Sequence, residues 1–205
     1  MLHYSAVPPG ALDTLNKIRS IKAFDDFVLV GGTALALYWG HRLSIDLDLF
    51  NNKDFDQDYL LEELEKATFN FGFKSPTKIG LFVNINQTKV DFVNIPYNWI
   101  RPVKVIDNIK IADLDDIAAM KISAVTGRGV KKDFYDLYYL LKHYTMQELL
   151  NLYSEKFANR DIGFVVRSIV YFEDAEHNEA PVVTDKSVTW EEVKNFITQQ
   201  VRDFM

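Results

Sequence analysis

Two aspartates two residues apart, Asp46 and Asp48, are the side chains whose type and spacing point most directly to chemistry. They lie in the run 45–50, where Ile45, Leu47 and Leu49 alternate with polar positions. On a strand, residues two apart point the same way, so both carboxylates project from one face while the aliphatic residues anchor the other. Carboxylates this close repel unless a cation stands between them. Hard oxygen ligands with no Cys or His beside them suit Mg²⁺ or Mn²⁺, with phosphate oxygens completing the shell. A third carboxylate, Asp91, occupies a later alternating run, Lys89-Val90-Asp91-Phe92-Val93, in which Val90 and Phe92 face one side and Asp91 the other. If the two strands are neighbours, the three acids meet at one metal site. Such a trio fits in-line phosphoryl transfer, with Asp46 and Asp48 holding metal against a triphosphate and Asp91 positioning the attacking hydroxyl and taking its proton.

Asp-x-Asp alone is a weak signal, and so is a Gly-Gly turn before a helix. The joint pattern is rarer. A short β-rich run at 27–30 ends at Gly31-Gly32, and Thr33 is placed to cap a helix through Trp39. Arg42 and Ser44 then lead directly into the Asp-x-Asp strand. Free backbone N–H groups at the start of that helix form a plausible phosphate cradle. Arg42 could contact phosphate or pair locally with Asp46 or Asp48. His41 is read as structural, since the four histidines show no metal-ligand spacing.

The elements that must hold these groups are legible as a mixed α/β half followed by a helical half. Residues 11–24 read as weakly helical and 59–69 as an amphipathic helix carrying Leu60, Leu61 and Leu64. Strands at 79–86 and 89–95 flank Gln87-Thr88, a hairpin turn. After a short strand around 105–111 the texture turns helical. Asp113 caps a helix to 125, further helices cover 132–143, 145–157 and 161–172, and Thr189 with Glu192 forms a capping box for the last, running to 204. The acidic run 173–176 reads as a solvated helix end or loop, and Trp190 and Phe196 as core. The expected architecture is α+β, with an α/β core at 1–104 and a mainly helical domain at 105–205.

Bulk composition narrows the partners. With 23 basic and 29 acidic residues the net charge is −6, unlike a domain that wraps nucleic acid through overall positive charge. A local basic cleft, enough for a nucleotide or one RNA end, remains open. The absence of cysteine excludes disulfides and thiolate metal sites. No basic-then-apolar leader and no membrane-length apolar run are evident, so a cytoplasmic protein without membrane contact is expected.

The stretch Gly31-Gly32-Thr33-Ala34-Leu35-Ala36-Leu37, with Gly40-His41-Arg42, Ser44 and Asp46-Leu47-Asp48-Leu49-Phe50, resembles the AbiEii-type nucleotidyltransferases. These are abortive-infection and type IV toxin–antitoxin proteins with a polymerase-β-like fold. A second block, Asp115-Asp116, Ala118-Ala119-Met120-Lys121, Arg128 and Lys132-Asp133-Phe134-Tyr135-Asp136-Leu137-Tyr138, is similar to the family's downstream helices. The resemblance spans roughly residues 27–141. It implies a polymerase-β-like core of mixed sheet and flanking helices, and metal at Asp46, Asp48 and Asp91. It also implies that Lys121 and Asp136 join the catalytic set, with Lys132 and Asp133 at the nucleotide beside Gly31, Gly32, Thr33, Arg42 and Ser44. The implied substrate is an NTP, the acceptor a tRNA 3′ end or a protein hydroxyl, and the partner a cognate antitoxin. Lys132 stands where Arg is commoner in the family, which weakens bidentate phosphate contact there.

Read without the resemblance, Lys121 is a snorkelling helix lysine, and Asp133 and Asp136 favour a helix N-terminus by charge alone. Lys121, Arg128, Lys131 and Lys132 nevertheless form the densest basic cluster in the chain, suited to triphosphate or an RNA backbone. Two rival functions stay open: a nucleotide- or partner-binding module without turnover, and nucleotidylation of a small molecule.

Overall fold

The computed structural model describes residues 1–67, 69, 71–158 and 160–205, with backbone alone over 71–76. It divides into two compact units, Met1–Asn98 with Pro102–Ala112, and Trp99–Arg101 with Asp113–Met205.

The first unit is built on a seven-stranded mixed sheet. Its strands are β1 (Val28–Val30), β2 (Leu47–Asn51), β3 (Phe71–Thr77), β4 (Gly80–Ile85), β5 (Thr88–Asn94), β6 (Lys104–Ile106) and β7 (Ile109–Ile111). They are ordered β3-β4-β5-β2-β1-β7-β6. β2 pairs antiparallel with β1 and parallel with β5, and β1 pairs parallel with β7. One face is apolar because alternation and register agree. Leu47 lies opposite Val90, Leu49 opposite Phe92, and Leu81 and Val83 opposite Phe92 and Val90 from the other side. All six are buried. Phe92 meets Phe24 and Phe27 at ring-centroid distances of 4.9 and 5.3 Å, and burying a ring of this size contributes about 2–3 kcal/mol. Helices α1 (Pro9–Arg19), α2 (Gly31–Trp39) and α3 (Gln57–Lys66) complete the unit.

Several elements differ from expectation. The β4–β5 turn is Asn86-Gln87, both at positive φ (50° and 67°), one residue earlier than expected. The 105–111 strand is a hairpin instead, turned at Asp107-Asn108 (φ 50° and 61°), and it belongs to the sheet. Both turns open on Asn or Asp and lack glycine, which mutes the usual hairpin signal. Strand β3 was not expected: Gly72, Ser75 and Pro76 are weak strand formers, and an edge strand tolerates them. The 59–69 helix starts earlier, because Asp56 caps it by accepting from the Asp58 and Tyr59 amides, and it ends at Lys66. Thr68, within that expected helix, lies outside the described residues. Ile45 precedes β2 and is 62% exposed, so Leu47 and Leu49 alone anchor the apolar face.

The second unit is helical: α4 (Leu114–Gly127), α5 (Lys131–Leu140), α6 (Met146–Lys156), α7 (Ile162–Ile169) and α8 (Trp190–Phe204). The caps expected at Asp113 and Thr189 are present, and Thr145 and Asp161, expected only as helix starts, cap as well. Asp113, Asp161 and Thr189 each accept a backbone amide, and Thr145 with Glu148 forms a reciprocal capping box. At α8 the box is half made, because the Glu192 carboxylate instead accepts from the Tyr138 hydroxyl. α4 packs against α5, α6 and α7. Phe134, Phe172 and Trp190 form an aromatic cluster with centroids 5.0 to 5.8 Å apart.

Candidate active site

In the first unit, strand register sets the geometry of the acidic groups. Asp48 lies directly opposite Asp91 across the parallel β2–β5 pair, so both carboxylates leave the same face. Val30 lies opposite Asp48, and Phe82 opposite Asp91, extending the row across four strands. Asp46 stands one residue before β2 and is half-buried, as is Asp48, while Asp91 is 8% exposed.

The chain leaves β1 at Val30 and turns into α2 immediately beside Asp48. Gly31 takes φ +71°, a conformation that disfavours any side chain. A Cβ there would also stand 2.0 Å from Asp48 Oδ2. A Cβ on Gly32 would stand 2.3 Å from Arg42 Nη2. Glycine at 31 is therefore demanded by both backbone angle and the approach of the Asp48 carboxylate, while Gly32 lies against the end of the Arg42 side chain.

Thr33 does not cap α2, because the helix begins at Gly31 with Val30 as its N-cap. It is fully buried and bonds outward: its Oγ1 lies 2.9 Å from Ser44 Oγ and donates to the main-chain carbonyl of Asp46. Arg42 and Ser44 are buried too, with Arg42 Nη1 donating to the Leu43 carbonyl at 2.9 Å and the Ser44 amide to the Ala6 carbonyl at 2.9 Å. Thr33, through the Ser44 hydroxyl and the Asp46 carbonyl, thus ties the segment leading into Asp46 to the start of α2. Gly31, Gly32, Thr33, Arg42, Ser44, Asp46, Asp48 and Asp91 all belong to this unit.

Lys89 is a residue the sequence reading passed over. Its Nζ lies 2.7 Å from Asp91 Oδ2. Burial pulls the ammonium's pKa down, but the hydrogen bond and charge of Asp91, joined by the fields of Asp46 and Asp48, leave it raised. One lysine therefore senses all three carboxylates. Its position two residues before Asp91 on a strand was the available signal, since i and i+2 share a face. Phe82 could not have been found this way, because cross-strand register is not written locally.

The donors suit a divalent cation in kind: all are hard carboxylate oxygens. Asp91 Oδ1 is buried and accepts no hydrogen bond, leaving a lone pair aimed at nothing. The glycine turn brings the helix start against Asp48. Among the described residues, however, no three acidic or histidine side chains form a closed ligand cluster. Asp46, Asp48 and Asp91 share a neighbourhood without being drawn together.

The second unit carries the other expected residues. Lys121 is buried on α4 with Nζ 3.1 Å from Asp133 Oδ1 and 2.6 Å from Asp136 Oδ2, both carboxylates fully buried on α5. Arg128 adds a forked pair to Asp133, with Nε at 2.8 Å and Nη2 at 3.1 Å. Burial raises the Asp133 carboxyl, but Lys121 and Arg128 together outweigh it and hold the group below the usual range. These acids are thus network members and not simple helix-dipole residues, and Lys121 does not snorkel. The expected basic cluster is largely neutralised. Lys121 and Arg128 face Asp133, while Lys131 donates to the Glu176 carbonyl at 3.0 Å and lies over the Trp190 ring. Lys132, the second residue of α5, is half-buried.

Among the described residues no helix is long and apolar enough to cross a membrane. Two crystal structures share the fold: JHP933 from Helicobacter pylori (TM-score 0.58, 23% identity, 96% of this chain and 92% of that one) and an H. pylori protein provisionally assigned as a nucleotidyltransferase (TM-score 0.59, 23% identity, 95% and 94%). An uncharacterized protein of Aquifex aeolicus (strain VF5) is 37% identical over 199 residues, covering 94% of this chain and 95% of the relative. The family model described as "Nucleotidyl transferase AbiEii toxin, Type IV TA system" matches residues 15–204, well beyond the two motif blocks. The chain therefore belongs to the AbiEii family of nucleotidyl transferase toxins from type IV toxin–antitoxin systems, and it is an NTP-dependent nucleotidyltransferase.

Proposed function

We propose that this transferase moves a nucleoside monophosphate from an NTP to an acceptor hydroxyl, using Mg²⁺ or Mn²⁺ held by Asp46, Asp48 and Asp91. The acceptor is an RNA end, such as that of a tRNA, or a protein hydroxyl. The protein acts in the cytoplasm as a growth-restraining toxin matched by an antitoxin. The observation that carries the metal site is the register of Asp48 with Asp91, with the Gly31 turn pressed against Asp48.

In this reading the first unit is the transferase core. Backbone N–H groups at the start of α2 receive phosphate oxygens, and Gly31 and Gly32 permit the approach. The acceptor oxygen bonds to the α-phosphorus as the bond to the bridging oxygen breaks, and pyrophosphate leaves. The hydroxyl proton passes to the Asp91 carboxylate. The cation, when bound, supplies electrostatic stabilisation of charge on the phosphate oxygens. Thr33 and Ser44 hold the Asp46 segment in place, and Arg42 and Ser44 are assigned to the nucleotide. Lys121, Asp133 and Asp136 are assigned as positioning residues that lock α4 to α5.

The test is incubation with each labelled NTP, Mg²⁺ and total RNA, comparing wild type with Asp46→Asn. Wild type labels an acceptor and Asp46→Asn loses nearly all labelling while its urea midpoint is unchanged. Equal labelling by both proteins refutes the metal assignment. Pyrophosphate release without labelled RNA points to a protein hydroxyl or a smaller acceptor.

A further inference from the structure

Lysine–carboxylate pairs among the described residues differ in which partner is buried. Lys53–Asp26 joins two exposed side chains, 68% and 57% accessible, on the solvated surface. Lys121 with Asp133 and Lys156 with Asp116 bury both partners. Lys89–Asp91 is asymmetric: the carboxylate is 11% accessible and the lysine 57%.

Hydrogen bonding separates them further. Asp116 accepts from the Ile100 and Arg101 amides and from Lys156, which occupies both its oxygens. Asp133 has both oxygens engaged by Lys121 and Arg128. These carboxylates are finished structural parts. Asp91 is not, because Lys89 takes Oδ2 while Oδ1 is buried with no donor. A buried carboxylate half-satisfied by a solvent-reaching ammonium is poised to exchange that ammonium for another cation. The lysine can swing into water at small loss, whereas Lys121 and Lys156 cannot.

We infer that Lys89 is the resident counter-ion of the carboxylate mouth, holding Asp91 until a divalent cation displaces it, so that metal loading competes against a side chain of the protein itself. This rests on the metal site proposed above. The competition follows from the strand: Lys89 and Asp91 share a face, Asp48 lies opposite Asp91, and the Lys89 charge reaches Asp46 and Asp48 as well. A positive charge among three acids lowers the repulsion that would otherwise splay them in the metal-free protein. It also raises the metal concentration needed for half-loading by a constant factor.

The experiment titrates Mn²⁺ into the full chain without nucleotide, read by the loss of the free-ion paramagnetic resonance signal, for wild type, Lys89→Met, Lys89→Arg and Asp48→Asn. Removing the competing charge tightens Mn²⁺ binding about threefold to tenfold in Lys89→Met, while Lys89→Arg stays close to wild type. Asp48→Asn loses binding. If Asp48→Asn loses binding but Lys89→Met binds no tighter than wild type, the counter-ion role is refuted and the metal site stands. If Asp48→Asn binds Mn²⁺ as wild type does, the metal site itself fails and this inference falls with it.

Discussion

Replacing Gly31 by alanine tests the arrangement at its tightest point. The added Cβ would start 2.0 Å from Asp48 Oδ2, and ordinary contact begins near 3.4 Å, so the carboxylate must retreat by about 1.4 Å. An L-residue at φ +71° adds strain of about 1–2 kcal/mol. Displacing a catalytic group by about 1 Å can lower turnover about a hundredfold, equivalent to about 2.7 kcal/mol of barrier. Gly31→Ala is therefore expected to lose about 1–2 kcal/mol of stability in urea titration, and at least about a hundredfold in label transfer from NTP. Gly10→Ala is the control, since nothing lies within 4 Å of its Cβ and it sits in the first turn of α1. Transfer by Gly31→Ala within about threefold of wild type, with the fold intact, would show that the approach to Asp48 has no catalytic consequence.

Two further predictions concern the buried network of the second unit. Lys121→Met leaves Asp133 and Asp136 without the ammonium between them and should cost about 3–5 kcal/mol in urea titration; a loss below about 1 kcal/mol would mean the network is not coupled to folding. The Asp133 carboxyl is held below its ordinary 3.8, so its contribution is fully present above that value. The contribution fades as pH falls through the lower folded-state value. Urea midpoints from about pH 6 down to about pH 3 should show the advantage of wild type over Asp133→Asn shrinking toward the acid end. A constant difference would contradict that sign.

Where local chemistry dictates structure, the chain was readable in advance. Asp113 and Thr189 were legible as caps, and Thr145 and Asp161 as helix starts, because short polar side chains reach the first free amides, a relation confined to three or four residues. The alternation of Leu47 and Leu49, and of Val90 and Phe92, likewise exposed two strands and their apolar face. That Asp48 would stand opposite Asp91 was a condition set by pairing between distant segments, which no local pattern states. Thr33 was misjudged for the same reason. Its hydroxyl was expected to serve its own helix, but a glycine-led start left it free to reach Ser44 and the Asp46 carbonyl. Lys121 looked like a surface lysine because its partners lie twelve and fifteen residues along the chain, on a different helix.

The path of the backbone through Asp116 has a consequence for dissecting the gene. Trp99–Arg101 belong with the helices, yet the next eleven residues, Pro102–Ala112, return to complete the sheet. The Asp116 carboxylate clasps the Ile100 and Arg101 amides. No single cut can liberate both units whole: severing after Ala112 strips the helices of that tripeptide, and severing before Trp99 takes β6 and β7 from the sheet. Fragments split at either junction should recover their missing pieces only when the two are co-expressed.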